Sequence, residues 1–271
     1  MNLSYRYTII EKKGHENVFL NKVTNKIGEI KVMNENVSRF NHAFNELQEA
    51  VAGKLDKSSE TNFGTLLGLA NYKKDKVIYT YMDSLQFYRE FRNLLTHKTI
   101  SGEEAIAIPS SLLIKEIETI TEKIRYPKKV KDLFLSNVVT FNQEDKLSEV
   151  LKIVKEKSYS QFPVFGNDEL VGIVSEKGIT SFLAHSISDD VITIKDITIK
   201  DIIGVHEEKD LYEVITQDKS IFDIESIFNN RIKEGKTAYV LLISKNTSIK
   251  SPDDIVGIIA PWDLLKIIKN K

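Results

Sequence analysis

Residues 160–175 read SQFPVFGNDELVGIVS, and this stretch decides the fold of the C-terminal half. Two short apolar runs, Phe162–Phe165 and Leu170–Val174, flank the triplet Gly166-Asn167-Asp168. Short apolar runs bounded by turn-forming residues are typical of buried strands, and Gly, Asn and Asp are residues that tight turns favour. The stretch therefore predicts two antiparallel strands joined by a short turn.

This pair of strands belongs to a pattern of elements that occurs twice. In the first copy it follows a predicted strand at 138–141 and a predicted helix at 146–157. A second set of segments repeats the order, with a strand at 214–216, a helix at 221–232 and strands at 239–243 and 255–259. The segments that lead into the copies also correspond, with VKDL at 130–133 and IKDI at 199–202. The pattern predicts two βαββα-type repeats, over about 130–186 and 199–268.

Both copies contain the same short signature, Val171-Gly172-Ile173 in the first and Val256-Gly257-Ile258 in the second. With this signature and the shared order of elements, residues from about 130 to 268 resemble a tandem pair of CBS domains. The resemblance covers about half of the chain. It implies a pseudo-twofold disc with clefts between the copies, where adenine nucleotides often bind.

The ligand-binding motif of that family places a hydroxyl three residues after the glycine and an aspartate six residues after it. The first copy keeps the hydroxyl at Ser175 but has Gly178 at the aspartate position. The second copy has Ala260 at the hydroxyl position and keeps the carboxylate at Asp263. The resemblance therefore implies one competent cleft instead of two. There Asp263 would accept hydrogen bonds from the ribose hydroxyls, as an acceptor-only carboxylate suits a diol.

The expected lining of this cleft comes from both copies. Val138, Tyr159 and Ser160 of the first copy are expected to line the base beside Asp263, and Ser175 and Trp262 are further candidate ligand-binding residues. The expected ligand is an adenine nucleotide, which could be AMP, ADP, ATP or a cyclic dinucleotide. Two alternatives stay open: Asp263 caps the final helix, and Trp262 packs on the core instead of on a ligand.

The N-terminal half, residues 1–126, has a different pattern, and Pro127 ends its last helical period. Loose alternation in the first 30 residues predicts a short strand or hairpin. Apolar residues at three- and four-residue steps then predict a helical bundle. Its helices are expected from Asn34 to near Gly53, from Phe63 to Leu69, from about Lys73 to His97, and from Pro109, in the first turn, to Arg125. With the repeats at 127–271, the fold class is α+β.

The segment Arg92-Asn93-Leu94-Leu95-Thr96-His97 resembles the Arg-Asn-x-x-x-His signature of HEPN domains. These are helical bundles that dimerise and in many members cleave RNA without a metal, and the resemblance covers residues from about 34 to 125. It implies that Arg92 neutralises the scissile phosphate, that His97 acts as general acid or base, and that Asn93 supports them by hydrogen bonding.

Helix geometry complicates this assignment. Five residues on a continuous α-helix turn by ~500°, so Arg92 and His97 point ~140° apart. A kink, or a second subunit, would be needed to bring both side chains to one phosphate. The structural alternative is that Arg92 pairs with Glu90 or Asp83 at the surface and that His97 simply ends the helix, where positive charge is favoured.

Composition limits the other possibilities. The net charge of −1, from 38 basic and 39 acidic residues, argues against a protein held on nucleic acid or membrane by charge alone. The absence of cysteine excludes thiol catalysis and cysteine-based zinc sites. The five histidines show no metal-ligand spacing, so no metal site is predicted. No signal peptide or apolar stretch long enough to span a membrane is found, and a cytoplasmic protein is expected.

Three functions follow as expectations. The first is a homodimeric regulator in which adenine-nucleotide binding to the repeats controls the helical half, with RNA as its possible substrate. The second is a non-catalytic adaptor or dimerisation protein that responds to a nucleotide. The third is a repeat module that binds no nucleotide and is purely structural. Membrane attachment and sequence-specific DNA binding are not expected.

Overall fold

The structure of the protein is a computed structural model. The residues described are 35–97, 99–100, 104–105, 107–187, 193–203, 211–236 and 238–271, and the side chains of residues 96–100 and 104–105 are not included. The chain divides into two compact units, Met1–Tyr126 and Pro127–Lys271. The strand or hairpin predicted in the first 30 residues lies outside the described residues.

The described part of the first unit is mainly helical. Its elements are α1 (35–54), α2 (Phe63–Lys73), α3 (Lys76–Thr80), α4 (Met82–His97), β1 (Thr99–Ile100), β2 (Glu104–Ala105) and α5 (Ser111–Arg125). The strands β1 and β2 pair antiparallel. Apolar residues of the helices meet in a core that buries Phe40, Phe44, Leu47, Val51, Leu66, Leu85, Tyr88, Ile114 and Ile117.

One predicted helix of this unit is wrong. Residues 73–97 do not form a single helix, because Lys74 takes a left-handed conformation with φ 54° and ends α2. Asp75 then starts α3 by accepting a hydrogen bond from the Ile78 N–H at 2.9 Å. A further break at Tyr81 separates α3 from α4. The apolar period runs across both breaks, so periodicity alone could not show them.

The predicted start of α5 also needs correction. Ser110 is its N-cap and accepts a hydrogen bond from the Leu113 N–H at 3.1 Å. Pro109 therefore precedes the cap and does not lie in the first turn of the helix. A serine at the N-cap satisfies a backbone N–H that the helix leaves free, which is why the helix begins after it.

The second unit contains the repeated pattern. Its elements are α6 (Lys131–Phe134), β3 (Phe141–Asn142), α7 (Leu147–Lys157), β4 (Gln161–Gly166), β5 (Glu169–Ser175), α8 (Glu176–His185), β6 (Tyr212–Thr216), α9 (Ile221–Lys233), β7 (Val240–Ser244), β8 (Ile255–Ile259) and α10 (Leu264–Asn270). The strand predicted at 138–141 is shorter than expected and begins only at Phe141.

Each repeat has a three-stranded sheet in the described part of this unit, ordered β3-β4-β5 in the first and β6-β7-β8 in the second. The first two strands of each sheet are parallel and the last two antiparallel. The turn between β4 and β5 holds Asn167 and Asp168 at φ 52° and 61°. Asn and Asp tolerate this left-handed region better than other residues with side chains, which explains the triplet in the sequence.

The lead-in segments are exchanged between the two repeats. The Val130 N–H donates to the Lys219 carbonyl at 2.8 Å, next to the start of α9 in the second repeat. The Ile199 N–H donates to the Asp145 carbonyl at 3.0 Å, next to the start of α7 in the first. Ile199 is fully buried with Leu147 in the core of the first repeat. Each lead-in therefore completes the repeat other than the one it precedes in sequence.

Candidate functional site

A cleft of about 350 Å³ opens between the two repeats of the second unit. Five of the six residues that the sequence assigns to the ligand site line it, and these are Val138, Tyr159, Ser160, Trp262 and Asp263. The other lining residues are Ser136, Asn137, Val139, Ser158, Gln161, Ile258 and Ala260. One wall comes from the segment before β3, a second from the start of β4, and the third from the end of β8 and the turn after it.

Two aromatic side chains stand at this cleft with much of their surface free. Tyr159 is 44% exposed and Trp262 is 60% exposed. Ser158 ends α7 in a left-handed conformation with φ 54°, which redirects the chain so that Tyr159 precedes β4. Trp262 lies in a 3₁₀ turn, Pro261–Asp263, directly after β8. Exposed aromatic rings at a cleft offer faces on which a base or a cation can pack.

Asp263 has a structural contact as well as a position in the cleft. Its Oδ2 accepts a hydrogen bond from the Ala260 N–H at 2.9 Å, which closes the 3₁₀ turn. The side chain makes no capping bond to α10 itself. Asp263 therefore does not cap α10, as the alternative assumed. Its carboxylate instead stabilises the 3₁₀ turn that precedes the helix. A carboxylate has about four lone-pair sites, so one such bond leaves acceptor capacity.

Gln161 is a cleft residue that the sequence interpretation did not include. Its Nε2 donates to the Ala238 carbonyl at 3.2 Å, and its Oε1 is buried without a hydrogen-bond partner among the described residues. A buried acceptor without a partner is costly, so such atoms in native structures call for an explanation. The orientation of the amide follows from the Ala238 contact, because the opposite flip would place two acceptors together.

Ser136 and Asn137 were also missed. The Ser136 N–H donates to the Val256 carbonyl at 2.9 Å and so holds the segment before β3 against β8. Both residues lie between the apolar Leu135 and Val138, and a polar pair in that setting was the signal available in the sequence.

Ser175, the sixth predicted residue, lies elsewhere. It is 2% exposed and its Oγ accepts a hydrogen bond from the Gly178 N–H at 3.0 Å, which caps α8. It is not among the described residues that line the cleft with Asp263. The hydroxyl and the carboxylate of the split motif are therefore not brought together.

In the first unit, a polar cleft of about 480 Å³ brings together Arg92 and Asn93. Arg89, one turn earlier on α4, lines the same cleft and was not identified from the sequence. The Arg92 guanidinium carbon lies 5.0 Å from the centroid of the Phe44 ring, close enough for a cation–π contact. The helix α4 is continuous through Arg92, and the side chain of His97 lies outside the described residues.

In the part of the chain that the structure describes, no helix is both long and apolar enough to cross a membrane. No group of three or more His, Asp or Glu side chains is arranged to hold a metal ion among the same residues.

Comparison with known proteins identifies the class of the second unit. The sequence profile of the family described as CBS domain matches residues 130–185. The structure repeats the same order of strands and helices after residue 198. The C-terminal half of the chain is a tandem CBS domain pair.

Three similar proteins illustrate the extent of the likeness. An uncharacterized protein of Methanocaldococcus jannaschii is 31% identical over 143 residues, which are 53% of this chain and 40% of that protein. A CBS domain pair solved in complex with 5′-methylthioadenosine and S-adenosyl-L-methionine is 17% identical, with 53% of this chain and 97% of the other covered and a TM-score of 0.38. The CBS domain of a bacterial CNNM/CorC family Mg²⁺ transporter, solved in complex with ATP, is 15% identical, with 53% and 89% covered and a TM-score of 0.37. The chain spans less than half the length of the curated relatives it matches.

Proposed function

We propose that the protein is a homodimeric regulator that binds an adenine nucleotide, or a related adenosine compound, between its CBS repeats. The observation that carries the proposal is the cleft itself. Five residues from three separate segments, assigned to one site from the sequence, line a single cleft large enough for a small ligand. The Oε1 of Gln161 on its wall has no hydrogen-bond partner among the described residues, and it adds an acceptor that a ligand donor would satisfy.

The groups present fit an adenosine compound. The open acceptor sites of Asp263 suit the two hydroxyls of a ribose. Gln161 Oε1 suits an N–H donor such as the exocyclic amine of adenine. The apolar lining, with Val138, Ile258 and the ring of Tyr159, suits the faces of a purine base. Gln161 Oε1 has no other hydrogen-bond partner among the described residues. Asp263 accepts one hydrogen bond, from the Ala260 N–H, and so keeps acceptor sites for a ligand.

The first experiment is calorimetric titration of the full chain with AMP, ADP, ATP, a cyclic dinucleotide and adenosine. We expect at least one of them to bind, and Asp263→Ala to weaken that binding at least tenfold. Gln161→Ala is expected to weaken it up to about tenfold, the usual range for one hydrogen bond. Asp196→Ala removes an exposed carboxylate outside the cleft and is the control.

The outcomes separate the proposals. Binding that Asp263→Ala leaves unchanged would overturn the site assignment. If none of the compounds binds, the CBS pair is a structural module and the regulatory proposal fails. Regulation further requires that the ligand prefer one arrangement of the protein, typically by ~1–3 kcal/mol, because equal affinity for both shifts nothing.

A second candidate concerns the first unit, which we propose as a HEPN-like domain with metal-independent endoribonuclease activity. The observation that favours it is the cleft that Arg89, Arg92 and Asn93 share. Two guanidinium groups on one helix, one turn apart, suit the phosphates of an RNA strand, because Arg forms bidentate bonds to phosphate oxygens. In this proposal His97 would transfer the proton at the scissile bond.

Labelled RNA incubated with the full chain, with and without adenine nucleotides, tests this candidate. Wild type is expected to cleave, and Arg92→Ala and His97→Ala are expected to lose at least a hundredfold in rate. Arg39→Ala, an exposed arginine on α1, is the matched control and should keep the activity. If wild type cleaves no better than the two variants, the enzyme proposal fails and a nucleotide-dependent adaptor becomes the better account.

A further inference from the structure

The polar cleft of the first unit continues onto one face of α2. A Cβ atom on Gly64, in the first turn of this helix, would lie 3.1 Å from Arg89 Nη1, and both residues line the cleft. Residues four apart share one face of an α-helix, so Gly68 and Tyr72 follow Gly64 on the same side. We call this side, with Gly64, Gly68 and Tyr72, the α2 face. At a rise of 1.5 Å per residue, Tyr72 lies ~12 Å along the helix from Gly64.

The α2 face is open between the cleft and Tyr72. Gly68 is exposed, and a Cβ atom there would meet nothing within 4 Å apart from the backbone of its own helix. Tyr72 is 85% exposed, the largest fraction among the large hydrophobic side chains that the structure describes. Hydrophobic stabilisation scales with the apolar area removed from water, so a ring this exposed adds little to the core. The fold of the unit therefore does not account for Tyr72.

Charge at the two ends of the α2 face favours an anionic occupant. The cleft at one end is lined by Arg89 and Arg92, and by one carboxylate among the described lining residues, the exposed Glu60. At the other end, residues 72–76 read Tyr-Lys-Lys-Asp-Lys, and all but the aspartate are exposed. The helix dipole favours lysines at the end of a helix but disfavours a cation beside its first turn. An anion bound next to Arg89 would remove that conflict.

We propose that a single strand of RNA lies along the α2 face, with a phosphate at the arginine cleft and a base stacked on Tyr72. The inference rests on the second proposed function, the ribonuclease, and names the class of its substrate and a further binding residue. Guanidinium groups bond phosphate oxygens in pairs, and every base has a face that can stack on an aromatic ring. Bases in a duplex are stacked on one another and offer Tyr72 no such face. A stacked strand rises 3.4 Å per nucleotide, so ~12 Å takes about three to four nucleotides.

The experiment measures binding of a fluorescently labelled 2′-O-methyl oligouridylate of eight nucleotides to the full chain by anisotropy. This probe lacks the 2′-hydroxyl that the proposed cleavage needs, so binding is measured without chemistry. Tyr72→Ala is expected to weaken binding at least fivefold and to leave its salt dependence unchanged, because stacking releases no counterions. Arg89→Ala should weaken binding and lower the slope of log affinity against log salt by about 0.7, the value for one phosphate of a single strand. Tyr79→Ala, at a tyrosine of α3 that is 61% exposed, is the matched control and should stay within about twofold of wild type.

Two variants at Gly68 test the path between the cleft and Tyr72. Glutamate and glutamine both favour a helix over glycine, and the position is open, so both variants should fold at least as well as wild type. Gly68→Glu places a carboxylate beside the strand, whereas Gly68→Gln adds a neutral side chain of the same length. At low salt Gly68→Glu is expected to bind the probe at least threefold more weakly than Gly68→Gln. Salt at 0.5 M should remove the difference, because it screens the repulsion.

The outcomes for this inference and for the ribonuclease are separate. A probe that does not bind, a Tyr72→Ala variant that binds as wild type does, or equal losses in Tyr72→Ala and Tyr79→Ala would each overturn the inference. Duplex RNA of the same length, or a hexaglutamate peptide, that binds as tightly as the probe would also overturn it. If the probe binds as expected but unmodified RNA is not cleaved, the ribonuclease proposal fails and the RNA-binding face stands. If RNA is cleaved and Tyr72→Ala changes neither binding nor KM, the inference alone fails.

Discussion

Gly172 and Gly257 occupy the same position in the two repeats, yet their surroundings differ. A Cβ atom on Gly257 would lie 2.3 Å from the Phe134 carbonyl oxygen and 2.7 Å from Ile243 Cδ1. On Gly172 it would meet only Ile203 Cγ2, at 3.6 Å. Distances of 2.3 and 2.7 Å are far too short for a Cβ atom at Gly257, whereas 3.6 Å at Gly172 is an ordinary van der Waals contact. The glycine of the second repeat is therefore required by the close approach of the chain before β3.

Gly257→Ala is expected to lower the free energy of unfolding of the second unit by roughly 1–3 kcal/mol, as overpacking does. Gly172→Ala, the matched change, should stay within about 0.5 kcal/mol of wild type. Urea unfolding followed by tryptophan fluorescence measures both, because Trp262 is the sole tryptophan of the chain and lies in this unit. Equal losses in the two variants would contradict the difference between their surroundings.

Ser175→Ala tests the role of the hydroxyl that the sequence assigned to ligand binding. Because its Oγ caps α8 in a buried position, the variant is expected to lose ~1 kcal/mol of stability. Its affinity for an adenosine compound should match that of wild type within about twofold. A loss of affinity in Ser175→Ala without a loss of stability would mean that the hydroxyl contacts the ligand after all.

At the scale of elements, an ion pair links α1 to α5 across the first unit. Arg125 Nη2 lies 2.9 Å from Glu46 Oε2. The hydrogen bond from Arg125 lowers the pKa of Glu46 below its ordinary value of 4.5. A group with a lowered pKa in the folded state stabilises the protein above its unfolded pKa, and that stabilisation disappears as the pH falls through the folded pKa.

Glu46→Gln is therefore expected to remove part of the acid sensitivity of the first unit below about pH 4.5. The effect should be below about 1 kcal/mol at pH 7, because both side chains are about a third exposed and water screens the pair. Urea unfolding followed by circular dichroism at several pH values measures it. Glu49→Gln, an exposed position on the same helix, is the control. An unchanged pH profile in Glu46→Gln would show that the pair contributes nothing.

At the scale of the whole molecule, each of the two units has its own set of buried residues. A ligand that binds only the folded second unit stabilises it by mass action, by ~2.7 kcal/mol at a concentration of 100 Kd. Hydrogen exchange of the full chain, with and without the ligand, is expected to show this added protection in β4, β8 and α10. Asp263→Ala should show no added protection at the same ligand concentration.

The same exchange measurement tests regulation. If the proposed regulator transmits ligand binding, exchange in α4 and α5 changes as well, although these helices belong to the first unit. A change confined to residues 127–271 would limit the ligand to a local stabilising role. Protection that appears equally in Asp263→Ala would mean that the ligand acts at some other site.

The sequence by itself determined the repeated order of strands and helices in the second unit, because apolar periodicity and turn-forming residues are local properties. It also named five residues that the fold places at one cleft. It did not show the breaks at Lys74 and Tyr81, since the apolar period of the helices continues through them. At that point the hydrogen bond from the Ile78 N–H to Asp75 caps a new helix, although the apolar pattern continues without a break.

Only the tertiary structure decided which parts of the chain meet. The lead-in segments complete each other's repeats, and Gln161 Oε1 at the cleft wall has no hydrogen-bond partner among the described residues. The clash that makes Gly257 necessary also depends on a segment more than a hundred residues away. These facts arise from contacts between residues distant in sequence, and neither local propensity nor the spacing of a motif encodes which distant surface will be adjacent.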